Sequence, residues 1–329
     1  MLVRAWLFFS DGISVQSEVR SMEPLDFRRL ARHGRDLPYR TGLSIDALRE
    51  VPVTYRERSI RKRSGSSRIL SIPNQRLMAV QRLLLRKVLQ LLPMHPAAKG
   101  FRRRQGIFEH ASIHSGKPWV VLMDIKDFFP STAASRIRSK LEQFAWPAPL
   151  IDQLVRLVCH PQSGGLPQGA PTSPAISNIV NWELDTRLAG FARQNGLCYS
   201  RYADDLAFSP LSPTDPPPPW SSVRFAKTVL AEYGYELNER KIRVLRAGHQ
   251  QNVTGLVVNS SCNLPRSIRR RIRAAEHRLQ HDKPLTAVDH SGEETPMTAE
   301  QLQGWIGYSA MIARKTEQLR ESSTSSQGH

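Results

Sequence analysis

The sequence predicts an α+β protein, on three observations. Trp119-Val-Val-Leu-Met123 is a short continuous apolar run ending in Asp124, the pattern of a buried strand with a carboxylate at its exit. Leu197 to Arg201 and Leu206 to Ser209 read as strands around Tyr202-Ala-Asp-Asp205, a hairpin with two carboxylates at its tip. Around these strands, apolar residues recur at helical spacing.

Composition narrows the class. The 329 residues are 40% hydrophobic, too many for a disordered chain, and the mean hydropathy of −0.40 is too low for a membrane protein. No apolar run approaches the roughly 18–20 residues of a membrane span. Met1 to Phe9 is apolar but short, is interrupted by Arg4 and lacks a small-residue cleavage pattern, so no signal peptide is expected. A soluble, cytoplasmic protein is the expectation. Cys159, Cys198 and Cys262 are widely spaced and odd in number, which argues against disulfides and structural zinc and for small buried apolar residues.

The elements follow in order. Leu77, Val80, Leu84, Val88 and Leu91 mark an amphipathic helix whose other face carries Arg76, Arg82, Arg86 and Lys87. After the Trp119 strand, helical patterning covers Thr132 to Phe144 and Pro149 to Cys159. One longer helix is expected from Ser173-Pro174, with serine as cap and proline at the first position, and Ile176, Val180, Leu184, Leu188 and Phe191 form its apolar stripe. Pro210 to Pro219 holds too many prolines for strand or helix and reads as a stiff surface loop. A helix from Ser222 to Tyr233 stops at Gly234, and Val253 to Val258 reads as a strand. Two helices close the chain. One spans Arg266 to His281; the other begins at Thr298 with a Thr-x-x-Gln capping box and buries Leu302, Trp305, Ile306 and Ile312.

The formal charge of +18 is concentrated. Residues 56–104 hold 14 lysines and arginines against one acid, and residues 266–283 hold seven against two. Two basic blocks around a roughly neutral middle suggest a polyanion held from two sides; the bland alternative is a pair of solvated faces.

Asp124, Asp204 and Asp205 are the candidate chemical centre. Adjacent carboxylates in a turn repel, and a divalent cation removes the conflict. With a third carboxylate from a neighbouring strand, they can hold two Mg²⁺ in the arrangement for in-line phosphoryl transfer. Taken alone, an Asp-Asp turn is more often ordinary turn chemistry.

Three segments, in this order, resemble the palm motifs of reverse transcriptases: Asp124-Ile-Lys-Asp-Phe-Phe-Pro-Ser131, Gly165-Leu-Pro-Gln-Gly-Ala-Pro-Thr-Ser-Pro174 and Tyr202-Ala-Asp-Asp205. The resemblance runs from about Arg56 to Leu319. Within that family the chain is similar to bacterial retron enzymes through Val253-Thr254-Gly255, which matches their VTG element. Their Asn-Ala-x-x-His element reads His110-Ala-Ser-Ile-His114 here, with the leading asparagine replaced.

The resemblance implies a right-hand polymerase fold. Residues 1–55 are then an N-terminal extension and 56–118 basic fingers carrying the His110–His114 element. Residues 119–259 form a palm with a small antiparallel sheet, interleaved with fingers around 145–172. Residues 260–321 form a helical thumb, and 322–329 a disordered tail. It implies Asp124, Asp204 and Asp205 as ligands of two Mg²⁺, with the Ile125 carbonyl as an extra one. Arg68, with Lys62 or Arg63, is expected on the triphosphate, where a guanidinium fork suits phosphate oxygens. Asp127, in the first motif, and Gln168 and Gly169 are expected beside the incoming nucleotide. Phe129 matches the steric-gate position beneath the deoxyribose; Phe128 reads as a core residue. Lys241 fits a lysine near the triphosphate, or a solvated one. Arg269, Arg270 and Arg273 are expected on a template–primer backbone, with Arg102, Arg103 and Arg104 extending the track and Val253, Thr254 and Gly255 on RNA. His110 and His114 share the i, i+4 spacing of metal ligands but lack a third partner, leaving RNA contact or helix packing.

The implied activity is RNA-directed DNA synthesis from deoxynucleoside triphosphates on a cognate structured noncoding RNA. By the same resemblance the product is a branched RNA–DNA molecule, in antiphage defence with a separate effector protein and no membrane. Alternatives are another bacterial reverse transcriptase, standalone or diversity-generating, and a noncatalytic RNA-binding scaffold.

Overall fold

The computed structural model describes residues 26–61, 67–281, 284–288 and 294–325. The chain divides into two compact units, one of Leu25–Ser261 and one that includes Cys262 onward.

The first unit is built on a four-stranded antiparallel sheet. Helices α1 (Phe27–Arg35), α2 (Leu37–Thr41) and α3 (Ile45–Arg49) lead into a separate hairpin, β1 (Tyr55–Arg61) and β2 (Ser67–Pro73). Both of its faces are largely exposed, so it lacks the apolar alternation by which a half-buried strand is read, and the sequence pattern misses it. Helix α4 (Gln75–Lys87) follows, capped by Asn74, whose side chain accepts from the Leu77 amide at 2.9 Å. It ends four residues before Leu91, which lies in a single 3₁₀ turn.

After α5 (Ile107–Ser112) comes β3 (Trp119–Asp124), in which every residue is buried. Helices α6 (Ala134–Gln143), α7 (Ala148–Val158), α8 (Ser173–Val180) and α9 (Trp182–Gln194) precede the hairpin of β4 (Leu197–Tyr202) and β5 (Asp205–Pro210). Helix α10 (Pro219–Glu232) and β6 (Arg243–Arg246) complete the sheet, in the order β4-β5-β3-β6. Met123, Leu206 and Phe208 of the sheet share one apolar cluster with Leu184 and Leu188 of α9 and Val229 and Leu230 of α10. A second cluster joins Leu77 and Leu84 of α4 to Leu141 of α6, Leu154 of α7 and Ile176 of α8.

Several expectations are corrected. The single helix from Ser173 is two helices, broken at Asn181. Its side-chain amide donates to Ser177 O (2.8 Å) and Tyr235 Oη (3.0 Å) and its oxygen accepts from Arg136 (2.9 Å). An asparagine bonded to the preceding turn and across the fold competes with helix continuation. Ser173 is not the cap; its hydroxyl donates to Pro167 O at 2.7 Å and ties down the preceding loop. Helix α10 starts at Pro219 rather than Ser222, the position at which proline's missing donor is harmless. The strand expected at Val253 to Val258 is a tight hairpin, β7 (Asn252–Val253) and β8 (Leu256–Val257). Thr254 (φ +46°) and Gly255 (φ +90°) turn the chain between them.

The second unit contains α11 (Arg266–Gln280), a short antiparallel pair β9 (Thr286–Val288) and β10 (Glu294–Pro296), and α12 (Ala299–Ser325). Helix α11 packs on α12. The capping box is present: the Thr298 amide donates to Gln301 Oε1 (3.0 Å) and the Gln301 amide to Thr298 Oγ1 (3.3 Å). Leu302 and Ile312 are buried, Ile306 is half-buried, and Trp305, expected inside, is 38% exposed. Helix α12 also runs into the expected tail as far as Ser325; residues 326–329 lie outside the described residues.

Gly165 fixes the loop before α8. A Cβ there would sit 1.9 Å from Pro130 O, a backbone atom that cannot swing aside. Gly165→Ala is expected to destabilise the first unit by about 3 kcal/mol, read as a lower urea midpoint. An unchanged midpoint would show that the loop is not held against the Pro130 turn.

Candidate active site

Strand pairing brings the three aspartates to one end of the sheet. Asp124 closes β3 and pairs directly with Asp205, which opens β5. Asp204 precedes it in the turn, and its carbonyl accepts from the Ile125 amide at 3.0 Å, so the turn and the end of β3 are locked by backbone. Burial, then the Asp204 and Asp124 charges, push the Asp205 carboxyl up to about 7. Asp204 is also raised, by burial first, with the Asp124 charge adding to it and Lys241 and Arg68 opposing. Lys241 Nζ donates to Asp124 Oδ2 at 2.7 Å.

The donor set fits a hard divalent cation: carboxylate oxygens from a strand end and a turn, in an excess of negative charge that burial makes costly. Among the described residues, no three His, Cys, Asp or Glu side chains already close into a metal cage. Asp124 is engaged by the Lys241 ammonium instead, so loading a metal here means exchanging that cation.

A buried ion pair holds the turn. Arg201 and Asp185 are both fully buried. Arg201 Nε and Nη2 donate to the two Asp185 oxygens at 2.8 and 2.6 Å, and Tyr199 Oη donates to Asp185 Oδ1 at 2.8 Å. The remaining nitrogen, Nη1, donates to Ala203 O at 3.0 Å. Ala203 is in the left-handed region (φ +56°), a conformation that alanine seldom adopts without outside support. Gly100 completes the seat, since a Cβ on it would come within 3.0 Å of the Ala203 amide nitrogen.

The other candidate residues fall in several places. Phe129 is half-buried, with ring centroids 5.3 Å from Phe128 and 6.4 Å from Phe101. Phe128 is a core residue, as expected. Asp127 is exposed in a turn at φ +44°. Gln168 accepts, through its carbonyl, from the Ser71 amide at 2.8 Å, which docks its loop on β2. Gly169 (φ +121°) lies where a Cβ would sit 3.1 Å from Ser71 O, so both conformation and space demand glycine. Arg68 is exposed on β2 and its charge reaches Asp204. Lys62 and Arg63 lie outside the described residues. Arg102 is half-buried and donates to His95 O and Ala98 O, so it braces a loop rather than facing outward; Arg103 and Arg104 are exposed. In the second unit, Arg269, Arg270 and Arg273 are exposed on α11, away from buried Ile272 and Ala275.

Of the two alternatives for His110 and His114, the structure has internal packing: both are fully buried, with hydrogen bonds to Ser200 and Ser209 of the hairpin strands. The i, i+4 spacing correctly puts them on one side of the chain, His110 in α5 and His114 in the turn that follows it, and that side is the inner one. Val253 is buried, while Thr254 and Gly255 line a cleft of about 500 Å³ together with His110, Asp124, Asp205 and Lys241. Arg240, Arg243 and Asn252 also line it and were not among the candidates. The cationic run Arg240-Lys-Ile-Arg243 is the signal that points to two of them.

Sheet, carboxylates and basic cleft together define a nucleotidyl-transferring polymerase. Residues 60–262, more than half of the chain, match the family model for reverse transcriptase (RNA-dependent DNA polymerase), and the chain belongs to that family. It is 36% identical over 294 residues to the Retron Mx65 reverse transcriptase of Myxococcus xanthus, covering 80% of this chain and 68% of that one. With the Retron Ec86 reverse transcriptase of Escherichia coli it shares 28% over 312 residues, 91% of this chain and 92% of the relative. The chain is thus an RNA-directed DNA polymerase of the retron type, with the right-hand fold. A solved telomerase from Candida albicans, in complex with a TWJ fragment of telomeric RNA, aligns at TM-score 0.47 and 12% identity. It covers 86% of this chain and 58% of that one, too weak a likeness to add to the assignment. No helix among the described residues is long and apolar enough to cross a membrane.

Two predictions follow from this geometry. Arg201→Met leaves Asp185 buried and unpaired and is expected to cost about 3–5 kcal/mol in urea unfolding. Replacing both partners, Arg201→Met with Asp185→Leu, should recover much of that stability but not polymerase activity, because Ala203 O still lacks its donor. Full activity in the double variant would remove the positioning role.

The second concerns Asp205. Its carboxyl keeps its proton in the folded protein up to about pH 7, whereas the unfolded chain releases it near 3.8. Folding therefore binds the extra proton between those values, and metal-free stability falls as pH rises from about 4 through 7. A divalent cation bound at these carboxylates should raise the melting temperature more at pH 8 than at pH 5.5, and Asp205→Asn should flatten that difference. Equal shifts at both pH values in the wild type would contradict it.

Proposed function

We propose that this reverse transcriptase uses two Mg²⁺ ions, with Asp124, Asp204, Asp205 and the Ile125 carbonyl as protein ligands, to copy part of a cognate structured noncoding RNA. The observation that carries the reading is the direct pairing of Asp124 with Asp205 across the sheet, with Asp204 locked beside them and the Asp204 and Asp205 carboxyls raised by burial first and by neighbouring negative charge second. When bound, the ions lower the pKa of the primer hydroxyl and neutralise charge on the triphosphate and the leaving pyrophosphate. The protein's own part is positioning and electrostatics. Arg68, with Lys62 or Arg63, meets the triphosphate; Asp127 and the Gln168-Gly169 loop border the incoming nucleotide. Lys241, which donates to Asp124 Oδ2, would give up that carboxylate to a bound metal and would then be a cation available to the phosphates. Phe129 closes the floor under the sugar, leaving a 2′-hydroxyl neither room nor a partner. Arg103, Arg104, Arg269, Arg270 and Arg273 hold the nucleic-acid backbone without reading its sequence.

The same reading takes the product to be branched RNA–DNA made in the cytoplasm, for antiphage defence with a separate effector protein. The retron relatives favour it over a standalone or diversity-generating enzyme. The carboxylate triad favours catalysis over a noncatalytic scaffold.

Primer extension on an RNA template with Mg²⁺ tests the chemistry. Wild-type protein should synthesise DNA and Asp204→Asn should lose at least about a hundredfold in rate; equal rates would overturn the metal site. Phe129→Ala should incorporate ribonucleotides that the wild type excludes, and unchanged discrimination would remove the gate. Sequencing nucleic acid copurified from cells should recover a branched RNA–DNA molecule; linear DNA alone would refute that product.

A further inference from the structure

Phe101 is out of place in two respects. Its side chain is 47% exposed, although it is a large apolar ring. Its backbone is left-handed (φ +60°), a region that bulky residues rarely enter and that glycine or asparagine would occupy with less strain. Neither burial nor backbone preference accounts for phenylalanine at this position. A strained residue persists only where its surroundings hold it, and such residues cluster at functional sites.

The surroundings of Phe101 do hold it. Gly100 O accepts from Asn178 Nδ2 of α8 at 2.8 Å, and a Cβ on Gly100 would come within 3.0 Å of the Ala203 amide nitrogen. On the other side, Arg102 Nη1 reaches back to His95 O (3.1 Å) and Ala98 O (3.2 Å). The Lys99 amide donates to Arg201 O at 2.7 Å. The loop that carries Phe101 is thereby tied to β4, the strand that leads into the aspartate turn. Framework and ring belong to one rigid assembly.

That assembly presents the ring to two others. The Phe101 centroid lies 6.0 Å from that of Tyr202, with 38° between the ring planes, and 6.4 Å from that of Phe129, with 50° between them. Phe129 also meets Phe128 at 5.3 Å and 53°. Among the described residues, the half-buried Phe129 ring therefore has two aromatic neighbours, one anchored in the core and one in the Gly100–Arg102 loop. Tilted ring pairs attract through their quadrupoles as well as by contact, so each neighbour favours one orientation of the ring between them. A wall excludes a hydroxyl only while it stays in place, and looseness of about 1 Å is enough to spoil such a site.

We propose that Phe101 is a positioning residue for sugar discrimination: its ring holds Phe129 in the orientation that leaves no room for a 2′-hydroxyl. This rests on the reading of Phe129 as the floor under the sugar and adds to it a second residue, 28 positions upstream, that acts through the first. The left-handed backbone is what brings a side chain from this loop to the Phe129 ring.

The test is single-nucleotide incorporation on an RNA template, read as the ratio of kcat/KM for a deoxynucleotide to that for the matching ribonucleotide. Phe101→Asn removes the ring and suits the left-handed backbone. It is expected to lower the ratio about two- to tenfold, the scale of one aromatic pair, and by less than Phe129→Ala does. Phe101→Tyr, which keeps the ring, should retain the wild-type ratio. Combined with Phe129→Ala, Phe101→Asn should lower the ratio no further, because no ring is left to hold. Losses common to both nucleotides, from weaker folding or weaker primer binding, cancel in the ratio. If Phe101→Asn does not fold, Phe101→Gly gives the same comparison. A ratio unchanged in Phe101→Asn but lowered in Phe129→Ala would overturn the proposal and leave the gate standing. Additive effects in the double variant would also overturn it, by showing that Phe101 acts independently of Phe129. A ratio unchanged in both single variants would remove the gate and the positioning role together.

Discussion

The Tyr202–Asp205 turn of this protein stands on a charge that never meets water. Arg201 spends two of its nitrogens on Asp185 and the third on Ala203 O, and the strand that carries it is stitched to residues 97–99 by backbone bonds from Arg201 to Ala97 O and from Lys99 to Arg201 O. An isolated guanidinium in that position would be prohibitive, and the bidentate carboxylate makes it tolerable. What the pair contributes is a direction more than net stability. It fixes a left-handed alanine, and through it the positions of the two carboxylates that follow. The crowding of three acids is possible because the scaffold beneath them is over-determined.

That rigidity contrasts with the carboxylates themselves. Asp124 is held by the Lys241 ammonium, a flexible point charge on a solvent-exposed stem. A strand end, a backbone-locked turn and one mobile cation describe a centre whose framework is complete before any metal arrives. The loop before α8 is fixed in the same manner, with Gln168 and Gly169 docked on β2 by main chain alone.

What could be read from the sequence follows the same division. Asp124, Asp204 and Asp205 were legible because an apolar run ending in an acid and a hairpin with acids at its tip are local patterns. The β1–β2 hairpin was not, because neither face is buried and Arg56 to Arg61 carries no period. The turn at Thr254 was hidden inside a run of valines and leucine, where residue type favours extended backbone and two positive φ angles overrule it. Asn181 interrupts a stripe whose apolar residues continue on both sides, so the period survives the break. His110 and His114 show the limit most clearly. Their spacing put them on one face, but which way that face looks depends on serines almost a hundred residues downstream. The partnership of Arg201 and Asp185 likewise joins a strand to a helix by packing, and a charged residue in a strand gives no sign that it is buried.

All three cysteines are buried, and none forms a disulfide. Burial pushes the Cys159 thiol up to about 12 and raises Cys198 as well, so neither supplies a thiolate at neutral pH. The surface is therefore chemically silent towards maleimides and similar electrophiles. A single cysteine introduced at an exposed position such as Tyr39 would be the preferred site for a fluorophore or spin label, with the native three left in place.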